Sequence, residues 1–203
     1  MTWQCRCWTQ GAVKQTFRPA TGFTLVDMVV AMTLIAIISA MAVPAIKDFG
    51  DAVALGQAQR MVASELQQAR MKSVTTNRVM RVRFNCPVAK QFRMVELIGT
   101  SSIPAAQDSA ANRCNNTTYP FPASDNNPVT LPNHDGPVRR IDTRVSFGNT
   151  QTLEFRPTGM AYSVNADGTA GLPLAGNGIA LTVTKGNDTK TVTVNALGKI
   201  SAQ

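Results

Sequence analysis

Histidine occurs once in the 203 residues, at His134, and aromatic residues make up only 6%. A single histidine in a loop rich in proline and aspartate lacks the convergent ligands or activating base of a metal or nucleophilic centre, and it reads as solvated. HExxH, GxSxG, CxxC and the phosphate-binding glycine loop are all missing. No enzyme, cofactor or metal site is therefore expected. Asn165-Ala166-Asp167-Gly168 has oxygens that suit calcium, but without further acidic ligands it reads as a plain turn. Charged residues are sparse at 16%. Proline, glycine, asparagine, threonine and serine gather in the second half, a composition that suits a β-rich extracytoplasmic domain better than a cytosolic helical enzyme.

What charge there is lies unevenly. Arg6, Lys14 and Arg18 precede residue 22 with no acid among them, and the net charge of the whole chain is +8. Without residues 1–22, 17 Lys and Arg face 12 Asp and Glu, a modestly basic +5 that permits contact with anionic surfaces without requiring it. Met28–Ile46 is 19 residues without a charge. A helix over Phe23–Val43 would be about 30 Å long, the thickness of a bilayer core. A secretory signal peptide and a plain membrane anchor are the simplest readings, and Ala40-Met41-Ala42 even fits a signal-peptidase site.

Three details argue against both. The basic segment ends in Thr21-Gly22-Phe23-Thr24-Leu25 and not in a plain charge-to-apolar boundary. Asp27 stands at the entrance of the apolar stretch, where an unpaired carboxylate in a membrane is costly. Pro44 closes the run, and proline inside a helix removes a hydrogen bond and kinks it.

Gly22-Phe23-Thr24-Leu25-Val26-Asp27 with the apolar run behind it resembles the prepilin cleavage motif of type IV pilins and type II secretion pseudopilins. The resemblance implies cleavage after Gly22 by a dedicated aspartic peptidase, the prepilin peptidase, and N-methylation of Phe23. Asp27 then becomes the fifth mature residue and Pro44 the twenty-second, a common proline position in that family. The family usually has Glu where this chain has Asp27. Its carboxylate pairs with the N-terminal amine of a neighbouring subunit, a sensible arrangement because two charges entering an apolar filament core stabilise each other. Aspartate keeps the charge and loses one methylene of reach.

Beyond Pro44, Leu55, Ala58, Val62, Leu66 and Ala69 recur at helical spacing and mark one apolar face. Gln57, Gln59, Arg60, Gln67, Gln68 and Arg70 fill much of the rest, while Gly50 and Gly56 weaken the helix locally. From Val79 the period becomes two, with Met80, Val82 and Phe84 on one side and Arg81 and Arg83 on the other, a half-buried strand. Phe92–Ile98, Thr152–Arg156, Ile179–Thr184 and Lys190–Asn195 are further strands, the last two joined as a hairpin at Gly186-Asn187-Asp188. Residues 99–142 read as an extended surface loop with little regular structure.

Two late segments narrow the resemblance. Leu153-Glu154-Phe155-Arg156-Pro157-Thr158-Gly159, and Thr191–Asn195 leading to Leu197-Gly198-Lys199, resemble the two C-terminal signatures of the GspH/FimT group of minor pilins and H-type pseudopilins. Taken alone, the first is a turn after a strand and the second a last strand ending at Gly198. The fold class implied is α+β and type IV pilin-like. A long N-terminal helix, half transmembrane and half amphipathic, packs on a C-terminal antiparallel β-sheet or sandwich domain. The expected divisions are a leader at 1–22, a membrane and filament-core helix at 23–44, its amphipathic continuation at 45–76, and a β-rich extracytoplasmic domain at 77–203.

With residues 1–22 removed, Cys5 and Cys7 go, and Cys86 and Cys114 remain as natural disulfide partners in an oxidising compartment; two free buried thiols are the alternative. Arg78, Arg81, Arg83 and Arg93 on one strand face, with Arg139, Arg140 and Arg144 further on, form candidate phosphate contacts. Some members of the group capture DNA through a basic C-terminal stretch, and Gly198-Lys199-Ile200-Ser201 has one cation where two are expected. A solvated basic face is the plainer reading. The expected function is that of a minor pilin at or near the tip of a type IV pilus, supporting its assembly. The expected partners are other pilins or pseudopilins, the prepilin peptidase and the bacterial inner membrane before assembly. The nearest alternative is an H-type pseudopilin of type II secretion, and one of another class is a DNA-binding pilus component for uptake.

Overall fold

Thr24 starts the long helix. Its hydroxyl accepts from the Asp27 amide at 3.2 Å, while the Asp27 carboxylate accepts from the Thr24 hydroxyl at 2.7 Å and its amide at 3.1 Å. This reciprocal capping box satisfies donors that a helix start leaves orphaned. Helix α1 spans Leu25–Thr76, and Asn77 with φ 55° ends it in the left-handed conformation that asparagine tolerates. The computed structural model describes residue 22 and residues 24–122 and 132–203, apart from the side chains of residues 44 and 45. The chain falls into two units, the second beginning at Ile46.

In the first unit the apolar side chains of α1 are exposed, from Leu25 through Leu34 and Ile38 to Val43. By length and composition this stretch is able to cross a membrane. The Thr33 hydroxyl donates to the Val30 carbonyl at 2.8 Å and so carries no unmet donor into an apolar setting. The helical run continues through Pro44.

In the second unit the predicted apolar face is the core face. Leu55, Ala58, Val62, Leu66 and Ala69 are all buried. They meet Met80 and Val82 of β1 (Met80–Phe84) and Phe92 of β2 (Gln91–Glu96). Leu153 and Phe155 of β5 (Leu153–Phe155) join the same cluster. So do Leu181 and Val183 of β8 (Ile179–Lys185) and Val192 and Val194 of β9 (Asp188–Val194). The remaining strands are β3 (Arg139–Arg140), β4 (Ser146–Phe147), β6 (Ala161–Val164), β7 (Ala170–Pro173) and β10 (Ile200–Ala202). One sheet runs β3-β2-β1-β5-β6-β7 and the other β10-β9-β8-β4, with every strand pairing among the described residues antiparallel. Phe84 and Phe92 of the first sheet meet Phe147 of the second edge-on, with centroids 5.3 and 5.8 Å away.

Four expectations are corrected. Strand β1 is buried on both faces, because residues 99–122 and 132–136 cover the side that alternation assigned to solvent. Residues 99–142 accordingly hold a 3-10 turn at Ala106–Asp108, the short helix α2 at Ala110–Arg113, and β3. The chain does not finish its last strand at Gly198: with φ 70° there it turns and adds β10. The β8–β9 turn is tighter than predicted, since Lys185 pairs with Asp188 and only Gly186 and Asn187 remain in the loop.

Candidate functional site

The predicted site residues fall into separate places. Gly22 is exposed, whereas Phe23 and the leader before Gly22 lie outside the described residues. Asp27 is the one charge between Gly22 and Ile46. It sits in the first turn of α1, where the helix dipole favours a carboxylate. Its Oδ2 is the atom held by Thr24; among the described residues Oδ1 has no hydrogen-bond partner. Pro44 lies within the helical run, and its side chain is outside the described residues. The pattern Thr24-x-x-Asp27 is itself a capping signature that gives Asp27 a local task beside any filament contact.

The basic residues separate into buried and exposed groups, which alternation alone did not reveal. Arg81 and Arg93 are wholly buried, which removes them from any surface that phosphate can reach, and Arg83 is buried to 7% exposure. Burial of a guanidinium requires a counter-ion, and the covering segment supplies it. Arg81 reaches Asp108 at 2.8 Å and Glu154 at 2.7 Å, and Arg83 also reaches Asp108 at 2.8 Å. Arg113, buried on α2, contacts Asp135 at 2.5 Å and lies over the Tyr119 ring at 4.2 Å. Arg83 and Arg93 stand directly opposite across β1 and β2, a like-charge pair that Asp108 and Asp135 offset. Desolvation pushes the guanidinium values of both down and the Asp135 carboxyl up, with the opposite charges nearby resisting each shift. Cys86 and Cys114 form a disulfide and are both buried, so the covering segment is tied covalently to the end of β1 as well.

His134 is not freely solvated. Its Nδ1 lies 2.9 Å from Glu96, and its backbone amide and that of Asn133 each donate to the same carboxylate at 3.2 Å. Asn165–Gly168 is the plain turn that its residue types predict, with Asp167 accepting from Thr169. Among the described residues no group of three or more His, Cys, Asp or Glu is arranged to hold a metal ion.

Of the candidate phosphate contacts, Arg78, Arg139, Arg140, Arg144 and Lys199 remain exposed. Arg139 pairs with the buried Glu65 of α1 at 3.2 Å. Burial raises the Glu65 carboxyl above its ordinary range, and Arg139 and then Lys72 pull it back. Arg144 is held by Asp51 and Asp142, and its hydrogen bonds lower Asp142 to about 2. Arg78 faces Glu96 at 3.6 Å.

The two C-terminal signature segments meet on one residue that the sequence reading placed only on the polar face of α1. Arg70 donates through Nε to the Gly159 carbonyl and through Nη2 to the Leu197 carbonyl, both at 3.1 Å. Ala161 also donates to the Ala196 carbonyl at 3.0 Å. At Gly198 a Cβ would run into the Gly159 carbonyl and the Arg70 side chain. Gly198 therefore serves the closeness of two turns and a helix, whereas Gly159, with φ 79°, serves the left-handed backbone of its turn.

A family model described as Type II transport protein GspH matches residues 57–198. No curated protein sequence matches the chain. Among solved structures, the type IV minor pilin FimU of Pseudomonas aeruginosa is similar in two crystal forms, each at 11% identity. Their TM-scores are 0.42 and 0.45, with 73% and 76% of this chain and 92% of theirs covered. The minor pseudopilin EpsH from the Type 2 Secretion System of Vibrio cholerae is similar at 9% identity and a TM-score of 0.41, over 73% of this chain and 95% of that one.

Proposed function

The chain belongs to the GspH family, and from that premise we propose that it is a minor pilin, cleaved after Gly22 and built in at or near the tip of a type IV pilus to support its assembly. The observation that carries this is Asp27, a lone carboxylate at the head of an exposed apolar helix directly behind a glycine-phenylalanine junction. A helix of this kind waits in the inner membrane with the β domain in the periplasm, and then exchanges lipid for the apolar helices of other pilins. The exchange is favourable for the carboxylate only if a cation meets it, and the new N-terminal amine of a neighbour is such a cation. The open Oδ1 of Asp27 leaves room for that contact while Oδ2 stays in the cap. The role is structural and not enzymatic.

A second reading is the H-type minor pseudopilin of type II secretion, which the description of the matching family favours. Uptake of DNA is disfavoured, since Arg81 and Arg83 are buried and exposed cations with adjacent aromatic stacking partners are what such binding needs. The deciding experiment measures pili sheared from cells of a deletion strain and its complemented counterpart. Loss of surface pili, restored by the gene, is expected; unchanged pili with impaired protein secretion would transfer the assignment to the pseudopilin.

A further inference from the structure

Along its last turns α1 stops being polar on its outer side. Met71 and Val74 are 62% and 51% exposed, and Leu197, at the turn between β9 and β10, is 70% exposed. Together with Ile200 they line a groove of about 760 Å³. Singly exposed apolar residues are ordinary, but a contiguous apolar lining marks an interaction surface. The groove is held in shape. Arg70 grips the turn by the Leu197 carbonyl, Lys199 donates its amide to Asn195 Oδ1 at 2.9 Å, and Gly198 donates to the Asn195 carbonyl at 2.9 Å. Leu197 is thus displayed from a fixed turn and not left on a loose one.

Two cations, Arg70 and Lys199, stand in the lining, and among the described residues no carboxylate lines it. Arg70 spends its bonds on neutral carbonyls. An apolar floor beneath uncompensated positive charge is complementary to an apolar segment carrying carboxylates. The α1 wall from Gln67 to Thr75 is about 12 Å long, the length of roughly two helical turns. We propose that this groove receives an acidic amphipathic helix of a neighbouring filament subunit, its apolar residues against Met71, Val74 and Leu197 and its carboxylates toward Arg70 and Lys199. The proposal rests on the reading of the chain as a filament subunit. Nucleic acid is the poorer fit, because the floor is aliphatic and among the described residues no aromatic ring lines it for bases to stack on.

The test is photocrosslinking in living cells with the full-length chain, placing benzoylphenylalanine at Met71 in one strain and at Leu34 of the apolar helix in another. Mass spectrometry of the Met71 adduct is expected to identify an apolar, carboxylate-bearing helical peptide of another filament subunit. Lys199→Glu is expected to lower that yield about tenfold, since it sets like charges face to face. A Met71 adduct to DNA, to lipid or to a second copy of the chain overturns the proposal, as does an unchanged yield in Lys199→Glu. Filament adducts at Leu34 with none at Met71 overturn the groove and leave the filament reading standing; none at either position removes both.

Discussion

Arg81 holds one oxygen of Glu154 from two nitrogens, Nε at 3.0 Å and Nη2 at 2.7 Å, with both side chains wholly buried. The two residues face each other directly across β1 and β5. The other Glu154 oxygen accepts from Ser101 at 2.7 Å and Arg156 at 3.1 Å. One carboxylate therefore joins two strands to the segment that covers them. Glu154→Ala strands the Arg81 charge in the interior and is expected to cost about 3–5 kcal/mol, the usual penalty for breaking a buried pair from one side. Urea unfolding of the detergent-solubilised chain measures it, and a loss under 1 kcal/mol would mean that water or Asp108 alone satisfies the guanidinium.

The covering segment is also closed by the bond between Cys86 and Cys114, 28 residues apart. Constraint of an unfolded loop of that size corresponds to about 3.5 kcal/mol in the chain-entropy model. Replacing both cysteines by alanine is expected to lower stability by that order, with the folded sheet retained because the arginine network still holds the segment. Urea midpoints of the variant and of the oxidised parent give the difference.

Glu65 supplies a pH dependence of definite sign. Its carboxyl is raised above the ordinary value by burial, so the folded chain holds this proton more tightly than the unfolded chain does. Stability from this group therefore falls as pH rises through the window between the unfolded and the higher folded value, and does not recover above it. Glu65→Gln removes the titration. Relative to this variant, the parent is expected to lose stability as the pH is raised from about 4 toward neutrality. Parallel stability curves for the two proteins would show that Arg139 cancels the effect of burial.

Processing and incorporation separate at the N-terminus. Gly22→Ala is expected to block cleavage, seen as a precursor of unchanged size. Asp27→Ala is expected to leave membrane insertion intact, to lower incorporation into filaments, and to cost roughly 1 kcal/mol of helix capping. Asp27→Asn keeps an oxygen for Thr24 and loses the charge. If Asn restores incorporation, the cap and not the charge is what the filament needs.

Much of the fold was legible in residue periodicity. Leu55, Ala58, Val62, Leu66 and Ala69 are core residues because a helix brings positions three and four apart to one face, a local geometric fact. Alternation likewise separated Met80 and Val82 from Arg81 and Arg83 correctly. It misassigned the environment of the second pair, since period two reports which residues share a side and not what lies over it. The short strands β3, β4, β6, β7 and β10, of two to four residues each, are too brief for any periodic signal and exist through their neighbours.

The sequence by itself determined the apolar helix, its lone Asp27, the amphipathic face behind it and the two glycine-bearing turns, because each depends on residues adjacent or a few positions apart. Only the tertiary structure decided that Arg81 and Arg83 are interior, that residues 99–122 and 132–136 form a cover, and that both turns converge on Arg70. Those outcomes depend on groups 27, 73, 89 and 127 positions apart. A charged side chain is stable inside a protein only where the rest of the chain brings it a partner, and no local pattern records that partner.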